Sequence, residues 1–209
     1  PSAVIIPGVL KIVLFIFIAP ILGMILSFFV SSAVAYLSRK SSPLGIDKLF
    51  RRLQLISASA FSLGHGGNDA QKSMGIIWAA MIVTGMTTKD EPIAFWIIIS
   101  CQSAIALGTL FGGWRIVKTM GQRITKLKPF EGFCAETAGA LTLFGATHFG
   151  IPVSTTHTIT GAIIGVGARR RLSAVKWGLT RKIFWAWILT IPVTGFIGGL
   201  MYYFFNWFF

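Results

Sequence analysis

The chain has 209 residues, 54% of them apolar and only 12% charged, with a mean hydropathy of +0.75. Soluble domains carry about a quarter charged residues, so the composition argues against a water-soluble globular protein. Lys and Arg number 19 against 6 Asp and Glu, a net +13, yet the basic residues fall at 39–52, 115–128 and 169–182, between long apolar runs. That is the pattern of cytoplasmic loops in a multi-pass membrane protein. A nucleic-acid binder would gather them on one polar face, so no nucleic-acid partner is expected.

A hydrocarbon core of about 30 Å needs roughly 20 apolar residues. The first run, Ile12 to Leu37, has no basic leader and is too long for a cleaved signal, so it reads as a spanning helix. The chain begins at Pro1 without Met, as a piece of something longer would. A polar loop follows from Ser38 to Arg52. Leu53 to Met86 is then apolar except for Gly64-His65-Gly66-Gly67-Asn68-Asp69 and Gln71-Lys72, and it is expected to be a helix broken in its middle. Pro92 opens a span to about Val117. Its Trp96 and Trp114 lie roughly 27 Å apart on a helix and suit two aromatic belts.

Phe130 to Phe149 and Val153 to Ala168 flank Gly150-Ile151-Pro152, and both outer ends abut basic loops. The positive-inside rule makes this pair a re-entrant hairpin, and Trp177 to Trp207 a final span. Counting crossings puts both ends of the chain outside the cell membrane. Three pairs of glycines at helical spacing, Gly108/Gly112, Gly161/Gly165 and Gly195/Gly199, are expected to let helices pack closely. Cys101 and Cys134 sit in apolar stretches and read as small buried hydrophobes.

Two stretches place polar groups at membrane depth, where an unpaired Asp or Lys costs about 2.5 to 3.5 kcal/mol. In the first, three glycines in four positions are expected to unwind the backbone, with Asn68 or Asp69 capping a new helix. Such a segment offers carbonyls to a cation and N–H groups to an anion. In the second, Pro152 is expected to stop a helix, and Ser154, Thr155 and Thr156 to open the next. A helix start lined with hydroxyls is an oxyanion site without full charge.

Glu136 and Asp69 are the two carboxylates inside apolar segments. They would repel an anion unless cations lay between them, and a cation that neutralises a carboxylate raises anion affinity reciprocally. Each feature also has a structural reading. The three hydroxyls can simply cap a helix, the histidines can be buried hydrogen-bonded groups, Lys72 can snorkel or pair with Glu136, and Glu136 can be accommodated by its small polar neighbours. A hydrolase built on Ser154, His157 and Asp69 is set aside. Ser154 has no nucleophile-elbow pattern, and it shares a helix start with His157, so no enzyme is expected.

The stretches Gly64 to Lys72 and Gly150 to His157, followed by Gly161 to Gly167, resemble the paired signatures of the inorganic phosphate transporter (PiT) family over residues 50–170. The resemblance implies two inverted repeats with each signature in both, so this all-α integral membrane chain would be the C-terminal repeat, one transmembrane domain over 1–209. It implies Asn68, Asp69, Ser154, Thr155 and Thr156 as half of the phosphate site. The cation ligands it implies are Asn68, Asp69, Thr156 and Glu136, which matches the family's essential glutamate. The implied function is cation-coupled symport of inorganic phosphate, with Na⁺ or else H⁺ as coupling ion and no organic cofactor. The implied partners are membrane lipid, the N-terminal half and a second copy in a homodimer. Sulfate or H⁺-driven metal-phosphate transport, and a purely structural membrane subunit, stay open as alternatives.

Overall fold

The computed structural model describes residues 6–208; nothing is described of residues 1–5 and 209 or of the side chains of Arg115 and Phe208, so the expectations about the chain's two ends lie outside the described residues. Every regular element among the described residues is helical: α1 (Ile6–Leu37), α2 (Pro43–Val83), α3 (Phe95–Gly112), α4 (Trp114–Lys118), α5 (Pro129–His148), α6 (Thr155–Arg170) and α7 (Trp177–Phe208), with short 3₁₀ turns and a π turn at Thr119–Ile124. Three stretches are long and apolar enough to cross a membrane: Ile6–Lys40, Phe95–Gly112 and Trp177–Trp207. Contacts divide the chain into two units at Val175/Lys176. The second unit is α7, whose side chains are half-buried or exposed where described.

Within the first unit, α2 corrects the expected break. It runs 41 residues without interruption, about 60 Å, and takes in Asp47 to Arg52 of the expected polar loop. Ser42 caps it by accepting from the Gly45 N–H at 3.3 Å, with Pro43 at the first helical position. The glycines do not unwind it, because in an apolar solvent stranded backbone groups cost more than glycine's propensity penalty of about 1 kcal/mol. They admit neighbours instead. A Cβ on Gly64 would lie 3.3 Å from Leu143 Cβ, and one on Gly66 3.2 Å from Gln102 Oε1.

The real break lies between α5 and α6. Gly150, at φ +61°, lets α5 end with paired bonds from Gly150 N to Thr147 O (3.0 Å) and from Ile151 N to Ala146 O (2.9 Å), the Schellman arrangement. Gly150 therefore stops the helix, and Pro152 merely sits in the extended linker beyond it. The expected Pro92–Val117 span starts three residues later, at Phe95, and is interrupted at Gly113.

Helix directions follow from who meets whom. Pro20 and Met24 of α1 meet Gly161 and Gly165 of α6, so those helices run side by side in the same direction. Gln54, Phe61 and Gly64 of α2 meet Gly132, Gly139 and Leu143 of α5, again in parallel, while Ala70 and Met74 pack on Ile97 and Cys101 of an antiparallel α3. A second buried cluster joins Ala19 of α1 to Leu143 and Ala146 of α5 and to Val153 of the linker. One end of the unit consequently collects the end of α1, the starts of α2 and α5 and the end of α6. Those are the places where the basic runs fall.

Of the two glycine pairs in the first unit, only Gly161/Gly165 is used among the described residues. A Cβ at either would collide with the Pro20 or Met24 carbonyl, whereas Gly108 and Gly112 have nothing within 4 Å. Pro20 lacks an N–H and so leaves the Ile16 carbonyl without its helical donor. The ring of His157 hydrogen-bonds that carbonyl. Cys101 and Cys134 are free and buried, as read from the sequence.

Candidate functional site

Because α2 is unbroken, His65, Asn68, Asp69 and Lys72 stand at i, i+3, i+4 and i+7 on one helical face. The linker after α5 and the first residue of α6 bring Val153 and Thr155 against that face. Asp69 is the centre. Its Oδ1 accepts from Lys72 Nζ at 2.8 Å and from Asn68 Nδ2 at 3.4 Å, while Oδ2 accepts from Thr155 Oγ1 at 3.0 Å and lies 3.0 Å from His65 Nε2.

The Val153 carbonyl, outside any helical ladder, accepts from Asn68 Nδ2 at 2.8 Å and from Lys72 Nζ at 3.2 Å. The two polar stretches of the sequence thus form one cluster, although neither Asn68 nor Asp69 caps a helix. Lys72 pairs with Asp69 and not with Glu136. A cavity of about 220 Å³ lies beside the cluster, lined by Asn68, Gln71, Lys72, Thr147, Gly150, Ile151 and Pro152. That is below the roughly 300 to 1,000 Å³ typical of organic ligand pockets and suits a small ion.

The helix start behaves as its residues suggest. Ser154 caps α6, its Oγ accepting from His157 N at 3.4 Å and its carbonyl from Thr158 Oγ1 at 3.0 Å. Thr155 is buried and reaches Asp69, whereas Thr156 is exposed and takes no part in the cluster. Three consecutive residues on a helix point about 100° apart, so not all three hydroxyls can converge.

Glu136 is not brought to Asp69. It accepts from Ser57 Oγ at 2.6 Å and Gln54 Nε2 at 3.4 Å, and Ser57 precedes Asp69 by 12 residues on the same unbroken helix, about 18 Å. Asp69 with Asn68 and Glu136 with Ser57 and Gln54 thus form two separate polar clusters along α2, and Thr156 joins neither. A separate cavity of about 750 Å³ opens beside Glu136, with Gln54, Phe61, Gln122 and Ile159 among its walls.

Sequence reasoning missed Gln54, Ser57 and the Val153 carbonyl. The first two left a signal, two polar residues three apart in an apolar helix. A backbone carbonyl leaves none, since every residue has one.

Residues 38–198 match the family model described as "Phosphate transporter family". The chain is 54% identical over 202 residues to the "Probable low-affinity inorganic phosphate transporter" of Rhizobium meliloti, covering 97% of this chain and 60% of that one. It is 39% identical over 199 residues to the protein of the same name in Bacillus subtilis, covering 95% and 60%. It therefore spans about 60% of the length of these relatives. Among solved structures it is similar to "The sodium-dependent phosphate transporter", with a TM-score of 0.64 and 27% identity over 87% of this chain and 53% of that one. By the match across most of its length, the chain belongs to the phosphate transporter family.

Proposed function

We propose that this chain is one repeat of a secondary transporter that couples entry of inorganic phosphate to Na⁺ across the cell membrane, working with an inverted partner repeat in a homodimeric assembly. The observation that carries the reading is the convergence of Asn68, Asp69 and Lys72 with Val153 and Thr155 at the start of α6. A carboxylate, a hydroxyl and a backbone carbonyl outside the helical ladder make a hard-oxygen set suited to Na⁺. The α6 N-terminus, capped by Ser154, supplies oriented N–H dipoles for an oxyanion at the same place. The exposed Thr156 hydroxyl is left to the side that the partner repeat covers, where it would complete the phosphate site.

The relatives' names support phosphate as the substrate, and the likeness to a solved sodium-dependent phosphate transporter supports sodium. Glu136 with Ser57 and Gln54 forms a second polar station along α2, and the extended linker 149–154 is the place for the movement that alternating access requires. Gathering of the basic segments at one end of the first unit supports a cytoplasmic location for that end, and with it outward-facing chain ends.

The test is uptake of radiolabelled phosphate into proteoliposomes holding this chain with its partner repeat, under an inward Na⁺ or an inward H⁺ gradient. Accumulation driven by Na⁺ is expected. Accumulation driven only by H⁺ would replace the coupling ion, and none under either gradient would overturn the proposal.

A further inference from the structure

Lys72 occupies the place a coupling cation needs. Its ammonium touches Asp69 Oδ1 at 2.8 Å and the Val153 carbonyl at 3.2 Å, a carboxylate oxygen and a backbone oxygen, while the third donor of an ammonium remains over. A lysine head is a compact charge on a flexible four-carbon stem, and this side chain is half exposed, at 49%. It is also one of the residues lining the 220 Å³ cavity beside Asp69. The same amine can therefore lie against Asp69 or swing into that cavity without unfolding anything.

We infer that Lys72 is a tethered surrogate cation: it neutralises Asp69 while the site is empty, and an incoming monovalent metal cation displaces it into the neighbouring cavity, where its charge serves the anion. The geometry makes the two events exclusive, because two positive charges cannot share Asp69 Oδ1 and the Val153 carbonyl at bonding distance. Displacement orders the cycle. Before the cation arrives, the cluster presents no free positive charge. Afterwards Asp69 is still neutralised and the released ammonium stands in the cavity against the linker that leads into α6, so cation binding raises anion affinity and the anion raises cation affinity by the same factor. His65 keeps its contact with the other carboxylate oxygen, Oδ2, and so holds Asp69 in place through the exchange.

This role presupposes the cation-coupled reading above, but its test does not use transport. Na⁺ is titrated against the assembled transporter in detergent micelles without phosphate, choline replacing it at constant ionic strength, and half-saturation is read from the rise in melting temperature. Lys72→Gln is expected to lower the half-saturating Na⁺ about fivefold or more, the lower end of ordinary coupling between sites. Lys72→Arg, which keeps a charge there, is expected to stay within about twofold of the unaltered protein.

An unchanged or raised half-saturation in Lys72→Gln would overturn the inference, as would an equal fall in Lys72→Arg. A second measurement needs no variant. Acetylation of the Lys72 amine by acetic anhydride, followed by mass spectrometry of the peptide, is expected to accelerate in Na⁺ relative to choline; equal or slower labelling would refute displacement. If these results hold while proteoliposomes accumulate no phosphate, the transport proposal fails and the surrogate cation stands. If Na⁺ drives uptake but neither reading changes, the reverse holds.

Discussion

Replacing Gly161 by alanine tests the packing that sets the site. An ideal Cβ there meets the Pro20 carbonyl closer than the 3.0 Å that real Cβ atoms respect, and the obstacle is backbone, which cannot rotate away. α1 and α6 must therefore separate by about 1 Å, enough to forfeit a quarter to a half of the dispersion energy along their contact. Overpacking of this kind costs about 1 to 3 kcal/mol, partly offset by the roughly 1 kcal/mol that alanine gains over glycine in a helix.

Gly108→Ala supplies the control, since its Cβ meets nothing within 4 Å and only the propensity gain applies. The gain cancels in the comparison, leaving Gly161→Ala less stable than Gly108→Ala by about 1 to 3 kcal/mol. Reversible unfolding in mixed micelles measures the difference. Values within about 0.5 kcal/mol of each other, the ordinary scatter of surface substitutions, would refute the close approach of α1 and α6. The same shift would draw Thr155 away from Asp69 and weaken phosphate binding along with stability.

Asp69→Asn is expected to reduce cation-driven phosphate uptake to the level of empty vesicles while the protein still folds; undiminished accumulation would remove Asp69 from the cation pathway. Double-mutant cycles on unfolding free energy are expected to find Asp69→Asn and Thr155→Val coupled by about 0.5 to 3 kcal/mol, as contacting residues are. Asp69→Asn and Glu136→Gln, the latter bonded to Ser57 about 18 Å from Asp69 along α2, are expected to be additive within about 0.5 kcal/mol, and strong coupling would contradict the two separate stations. Gly150→Ala forces a side chain into φ +61° and is expected to cost about 1 to 2 kcal/mol; a stable variant would show that the end of α5 does not depend on that conformation.

The sequence by itself determined the membrane class, the long apolar helices at Ile12 to Leu37 and Trp177 to Trp207, and the helix pair on either side of Gly150 to Pro152. Each of these is a local property. An apolar run of sufficient length, or a Ser-Thr-Thr helix start after a glycine and a proline, carries its meaning within a few residues. It also singled out Asn68, Asp69, Glu136 and the hydroxyls of Ser154, Thr155 and Thr156, because charge and hydroxyls in an apolar run are costly wherever they point.

Only the tertiary structure decided what those residues do with one another. Glycines 64, 66 and 67 allow either an unwound backbone or a close neighbour, and Leu143 and Gln102 settle it in favour of an unbroken α2. Three glycine pairs looked alike until α1 lay against one of them. Which hydroxyl faces Asp69 is a matter of a helix rotation of about 100° per residue, which the sequence leaves free until α6 docks. The separation of Glu136 from Asp69 follows from α2 being unbroken between Ser57 and Asp69, and the Val153 carbonyl became an acceptor only because the linker is extended there and the face of α2 lies opposite it.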